Sequence, residues 1–83
     1  MFDVDWLESA EAELTTLWIA ARDRQRITEA VDRIDRQLRH DPNAIGESRG
    51  PGRRVAFIGP IGFVFETIRD ENRVVVLRFW RTR

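Results

Sequence analysis

The side chains best suited to chemistry lie in the last third of the chain, and nearly all of them are arginines. Arg78, Arg81 and Arg83 crowd the C-terminal stretch around Trp80. A guanidinium is a planar fork that fits phosphate and carboxylate oxygens. The group therefore reads as an anion-holding cluster, for nucleic acid or for an acidic protein segment. Trp80 offers a ring on which a base can stack, although burial in a core or an interface suits it too. Arg53 and Arg54 open an earlier strand-like run, where they widen the basic surface or keep a sheet edge soluble. Glu66 sits among these strands, and its plainest role is to pair with a neighbouring strand arginine on the solvent face. His40, the only histidine, ends a helical pattern, where an imidazole suits the last helical carbonyls.

Composition removes whole classes of chemistry. The absence of cysteine excludes disulfides, zinc fingers and thiol nucleophiles. One histidine without cysteine leaves no His- or Cys-based metal site, and no cofactor is expected. All 14 basic residues are arginine, and tyrosine is absent as well. Gly46-Glu47-Ser48-Arg49 lacks the repeated glycines and the strand-to-helix setting of a phosphate-binding loop. No apolar run approaches the ~18 residues that span a bilayer, and no signal peptide precedes Phe2, so a cytoplasmic protein without membrane contact is expected.

The net charge of +0 conceals a gradient. The first stretch carries Asp3, Asp5, Glu8, Glu11 and Glu13 with no base, whereas residues 49–83 set eight arginines against Glu66, Asp70 and Glu71. A basic C-terminal half holds anions even in a neutral chain, but neutrality argues against strong non-specific nucleic-acid binding. A homodimer that joins acidic Phe2–Glu13 to the basic strand of a second copy is conceivable, and salt would weaken it.

At 83 residues the chain forms a single domain, 1–83, with a thin core that hides about 60% of the unfolded surface. Phe2 to Trp6 alternates apolar and charged residues, as an edge strand does. Ser9 offers an N-cap for a helix over residues 10–22, with Leu7, Ala10, Leu14, Leu17, Trp18 and Ala21 as one apolar stripe. Asp23 caps a second helix, whose stripe is Ile27, Ala30, Val31, Ile34 and Leu38 and whose stop is Asp41-Pro42. Glu29–Arg33, Asp32–Arg36 and Asp35–Arg39 are acid-to-base pairs at helical spacing on its solvated side. Asn43 to Gly52 is a loop. Strands follow at 54–58, 63–68 and 74–80, joined by short connectors, with Phe57, Phe63, Phe65 and Phe79 as core. The fold class is α+β: an N-terminal strand, an antiparallel helical hairpin, then a three-stranded antiparallel meander, β-α-α-β-β-β.

That order resembles the RelE/ParE superfamily of type II toxin proteins. Val4-Asp5-Trp6 followed by Ala10-Glu11-Ala12-Glu13-Leu14 is similar to the family's opening strand and helix. Ile34-Asp35 to Leu38, then Asp41-Pro42 and Gly46, resembles its second helix and exit loop. Pro60 to Glu66, Asp70, and Arg73 to Arg78 resemble the closing hairpin. Gly46 to Arg49 with Pro60 to Glu66 is also similar to a branch of short plasmid-stabilisation-like proteins. The resemblance implies a toxin neutralised by a cognate antitoxin, its target either the translating ribosome and its messenger RNA or DNA gyrase.

Cleavage through a 2′-hydroxyl needs a base, cations for the phosphorane charge and an acid for the leaving oxygen. Against the family's nuclease pattern, lysine and tyrosine are missing, and Gly62-Phe63-Val64 stands where a mid-strand arginine is common. Glu66 remains as the base candidate, with Arg78 and Arg81 as the cations of a degenerate endoribonuclease. Arg53, Arg54, Arg78, Trp80, Arg81 and Arg83 are the candidate nucleic-acid or antitoxin-binding residues. The alternative is a non-toxic protein-binding module that retains the toxin fold.

Overall fold

The structure, a computed structural model, describes residues 1–82, so Arg83 lies outside the described residues. The elements are β1 (Asp3–Trp6), α1 (Glu8–Ala20), α2 (Arg24–His40), β2 (Glu47–Ser48), β3 (Arg53–Ile58), β4 (Ile61–Ile68) and β5 (Arg73–Arg81). The expected β-α-α-β-β-β order is present, with one strand added inside the expected loop. All strands join one mixed sheet in the order β1-β5-β4-β3-β2.

β1 is an edge strand, as its charged alternation predicts, and it runs parallel to β5 in the register Val4↔Val74 and Trp6↔Val76. Val4 and Trp6 pack on the core while Asp3 and Asp5 stay outside. Asp5 meets Arg73 at 2.9 Å and Glu13 meets Arg78 at 3.2 Å. Acidic N-terminal segment and basic C-terminal strand thus complement each other within one chain. Glu71 and then Asp5, through their hydrogen bonds, push the Arg73 guanidinium further toward its charged form.

α1 starts two residues earlier than its composition suggests, with Leu7 rather than Ser9 at the N-cap. The sheet decides this. The Leu7 N–H donates to the Val76 carbonyl at 3.0 Å, and the Leu7 carbonyl accepts from Glu11 N–H, so the chain passes from strand to helix without a spare residue. The other end is capped from outside: Arg24 donates to the Trp18 and Ile19 carbonyls at 3.0 and 2.9 Å. Its guanidinium also lies 4.6 Å from the Trp18 ring centroid. A cation on free C-terminal carbonyls satisfies orphan acceptors and complements the helix dipole.

α2 buries Ile27, Ala30, Ile34 and Leu38 as its period predicts, and His40 is its last residue. Of the three expected acid–base pairs, Asp35–Arg39 forms at 2.8 Å; the other two do not close among the described residues. Its hydrogen bond raises the pKa of Arg39. Asp41 then accepts from Asn43 N–H at 3.2 Å, and buried Pro42 begins a single helical turn that ends the element.

Three phenylalanines, Phe63, Phe65 and Phe79, fill the core with Ile61, Val74 and Val76 beneath the α2 stripe. Trp6 stacks on Phe79 with centroids 4.6 Å apart. Phe57, expected in the core, is 59% exposed instead, because the strand pleat turns it to the other face. The α1 stripe departs further. Only Ala10 is fully buried there and Trp18 is 42% exposed; Ile19, outside the stripe, is 62% exposed.

β2 is the strand that composition misses. Arg54 donates to the Ile45 and Gly46 carbonyls at 2.8 and 2.7 Å and draws the loop alongside β3. The pairs Glu47↔Val55 and Ser48↔Arg54 then form.

Candidate functional site

Cross-strand register sorts the candidate residues by face. On the side away from the core, three rungs cross β3, β4 and β5: Arg53–Glu66–Val75, Val55–Val64–Arg78 and Phe57–Gly62–Trp80. The alternate positions, Ala56, Phe63 and Phe79 among them, point into the core. Glu66 and Arg78 therefore share the outer face. Arg81 pairs with Ile61 on the opposite one.

Each charged candidate among the described residues has a partner inside the molecule. Arg53 donates to Glu66 at 3.0 Å, so the one carboxylate on these rungs is already bound to a guanidinium. Arg54 serves the loop carbonyls described above. Arg78 is steered to the sheet edge. A bulge leaves Leu77 without a partner on β4, and β1 ends opposite Val76, which opens the far part of the β5 edge. Glu13 from α1 fills that gap, accepting from Phe79 N–H at 3.1 Å and from Arg78 at 3.2 Å. An edge N–H left without an acceptor is costly when buried, and the carboxylate removes that cost.

Arg81 reaches Asp23 at 3.1 Å and ties the last strand to the start of α2. The hydrogen bond from Arg81 holds the Asp23 carboxyl below the usual carboxylate range, against the opposing effect of its partial burial; its own backbone N–H and the charges of Arg81 and Arg26 assist. A carboxyl whose folded pKa is depressed adds stability above its unfolded pKa and loses it as pH falls through the folded value. Asp23→Asn should therefore lower the melting temperature near neutral pH. Its difference from the parent should shrink steadily below about pH 4. Melting curves for both proteins between pH 7 and about pH 2.5 check this; a difference constant with pH would refute it.

Trp80 stands on the outer-face rung nearest the β3–β4 turn. Its indole lies over Gly62, where an added Cβ would come within 2.4–2.7 Å of three ring atoms. Phe57 meets the same ring edge-on, with centroids 6.0 Å apart. Of the Gly62-Phe63-Val64 triplet that stands where the resemblance leads one to expect an arginine, Gly62 thus lies beneath an indole and Phe63 is buried in the core. Gly62→Ala should swing Trp80 outward at a cost of about 1–3 kcal/mol, as overpacking does. A red shift of tryptophan emission with a lowered melting temperature is the expected signature, and an unchanged spectrum would contradict it.

α1 supplies a surface that reading the sequence assigned to the core. Leu14, Trp18, Ile27, Thr28 and Val31 line a groove of about 310 Å³ between α1 and α2. A second apolar groove, of about 480 Å³, runs along the other flank beside Ala12, Leu17, Ala20 and Phe79. The signal was available: Leu14, Leu17, Trp18 and Ile19 span more of the helix circumference than one buried stripe needs.

Among the described residues no cluster of carboxylates and histidine is suited to a metal ion, and no helix is long and apolar enough to cross a membrane. The outer face offers an aromatic pair, three valines, an ion pair and an edge arginine. The one carboxylate on this face is engaged by Arg53.

Comparison with known proteins places this geometry. The toxin of a chromosomal ParDE system from P. aeruginosa superposes with a TM-score of 0.73 at 18% identity, covering 100% of this chain and 98% of that one. A chain of the RelBE2 toxin–antitoxin complex from Mycobacterium tuberculosis gives a TM-score of 0.78 at 17% identity, covering 96% and 90%. Isolated E. coli RelE gives 0.68 at 15% identity, covering 100% and 86%. At such identities the likeness establishes the fold. No curated protein matches the sequence significantly. Family membership comes from the sequence itself, which matches the family described as "ParE toxin of type II toxin-antitoxin system, parDE" over residues 4–83. With nearly its whole length matched and its sheet and helices arranged like those of ParDE and RelBE toxins, the chain belongs to the ParE toxin family.

Proposed function

We propose that this toxin acts by binding DNA gyrase rather than by cutting RNA, and that a cognate antitoxin neutralises it by covering α1. The observation that carries the first part is the outer face. Cleavage through a 2′-hydroxyl would need a free base and an acid there. Glu66 is tied to Arg53, and the Gly62-Phe63-Val64 triplet supplies no cation, with Gly62 covered by Trp80. The chain has no lysine or tyrosine, and His40 is at the end of α2 beside Arg33, Arg36 and Gln37. Aromatic residues beside arginine are instead typical of protein-binding hot spots.

The two apolar grooves support the second part. A monomer gains nothing by exposing Trp18 and Ile19, whereas an antitoxin segment with apolar side chains would bury them. The relatives of known structure include ParDE and RelBE toxin–antitoxin assemblies. Gyrase binding places the protein in the cytoplasm.

Tightly induced expression with simultaneous thymidine and amino-acid pulse labels tests the target. Early loss of thymidine incorporation is expected. Prior loss of amino-acid incorporation would point to the ribosome and overturn the gyrase reading. Undisturbed incorporation of both, with folded protein present, would identify a binding module that is not toxic.

A further inference from the structure

We propose that a polar pocket at the loop end of the sheet, on the helix side, binds a phosphate group. The cavity, about 340 Å³, is lined by Asn43, Ser48, Arg54, Thr67 and Arg69 together with glycines of the 43–52 loop, and no acidic side chain lines it. Arg53 also borders it, but that guanidinium is paired with Glu66.

Two positive charges in this pocket have no carboxylate partner. Arg54 is half-buried and spends Nε and Nη2 on the Ile45 and Gly46 carbonyls. Its charge has no acidic neighbour within salt-bridge distance among the described residues, and Nη1 has no hydrogen-bond partner there. Arg69 forms neither a side-chain hydrogen bond nor an ion pair among the same residues. Between them Thr67 contributes a buried Oγ1 without a partner. A buried hydroxyl left unsatisfied costs free energy and calls for an occupant that hydrogen-bonds to it. The asymmetry of the chemistry selects that occupant. The two guanidiniums can only donate, and the threonine hydroxyl and the Asn43 amide can donate as well. An oxyanion fits such a set, and guanidinium forks match the spacing of phosphate oxygens.

The site does not arise from a contiguous loop motif. The carbonyl bonds of Arg54 fold residues 45–48 against β3, and that fold sets Ser48 and Asn43 opposite Thr67 and Arg69 on β4 and the turn after it. The volume exceeds a lone phosphate and admits a phosphate that carries an organic group. A free phosphomonoester and the diester of a nucleic-acid strand share the chemistry, so both are tested. Apart from Arg53 at its border the pocket is separate from the outer-face rungs and from α1, and its occupancy is independent of how the gyrase reading fares.

The test is titration of the ¹⁵N-labelled full chain, at constant ionic strength maintained with chloride. The probes are inorganic phosphate, a nucleoside monophosphate and a short single-stranded oligonucleotide. Saturable shifts of the Gly52, Arg54 and Thr67 amides are expected with phosphate. Arg69→Ala and Thr67→Val should each weaken binding by about fivefold or more. Arg33→Ala, on the solvated side of α2, should leave it unchanged. Saturation by the monophosphate but not by the oligonucleotide would identify a free ester as the ligand; saturation by both would show that the site also takes the diester of a nucleic-acid strand. Shifts that grow linearly without saturation, or equal weakening by Arg33→Ala, would overturn the proposal. Melting curves of the three variants, none of which removes a core side chain, verify that they remain folded.

Discussion

Gly46→Ala should lower stability by about 2–4 kcal/mol and release the 43–52 loop from β3. Two costs coincide at this residue. Its φ of +79° is a left-handed conformation, which costs an L-residue roughly 1–2 kcal/mol. An added Cβ would also lie 2.2 Å from the Val55 carbonyl oxygen and 2.8 Å from the Ala56 Cβ. Neither neighbour can give way, since Val55 and Ala56 belong to a strand paired with β4. The loop must retreat, and its retreat breaks the Arg54 bonds to Ile45 and Gly46 and the two-residue pairing of β2. For a domain of this size each kcal/mol is worth roughly 4–8 °C of melting temperature, so a drop near 10–20 °C is expected. The Arg49 amide, which donates to Arg53 at 2.8 Å, should lose its protection from hydrogen exchange. Gly50 is the control. Its φ is +114°, but a Cβ there would meet nothing within 4 Å, so Gly50→Ala should show only the conformational cost. An unchanged melting temperature and unchanged Arg49 protection in Gly46→Ala would refute the steric account.

The second large effect is expected in binding, not in folding. Ile19→Asp should weaken association with the cognate antitoxin by roughly 30-fold or more, the equivalent of a hot-spot residue. Ile19 is 62% exposed on α1, so a carboxylate there is hydrated in the free toxin and costs little. In the complex it would be desolvated opposite apolar side chains, with no partner. Trp18→Ala should weaken binding as well, because it removes a wall of the α1–α2 groove. Trp18 also carries the ring contact with Arg24, so part of that effect will register as stability. The charge substitution is the cleaner probe. Titration calorimetry with the antitoxin, alongside melting curves of the free variants, separates the two terms. Antitoxin affinity unaffected by Ile19→Asp would move the docking surface away from α1.

How legible the molecule was depends on the kind of contact involved. α2 could be read directly, because Ile27, Ala30, Ile34 and Leu38 recur at helical period and are all buried. The meander could be read for the same reason, as its apolar runs are separated by turn residues. α1 could not, since a helix rich in apolar residues looks like core whether the covering surface is its own chain or another protein. Ser9 looks like an N-cap by composition, but the ladder bond from Leu7 to Val76 fixes the helix start, and that bond spans most of the sequence. Local patterns carry no trace of it. The same holds for Arg54 and β2, where a side chain rather than a strand pattern creates the pairing. For the candidate residues, types were legible but faces were not. The bulge at Leu77 shifts the register, and register decides that Arg78 shares a face with Glu66 while Arg81 does not.

The parallel pairing of β1 with β5 also sets a time order for the protein's birth. The first strand made must wait for the last, because Val4 pairs with Val74 and Trp6 with Val76. Translation adds about 5–20 residues per second, and β5 is made after every other element of the sheet. While the ribosome still encloses that strand, β1 has no sheet to join, the Glu13 carboxylate has no strand edge to cap and Phe79 is missing from the core. A nascent chain therefore exposes its unpaired segments but holds no assembled outer face. Binding competence begins once β5 has left the ribosome, as one event, and an antitoxin that recognises the finished helices and sheet has its first opportunity at that same moment.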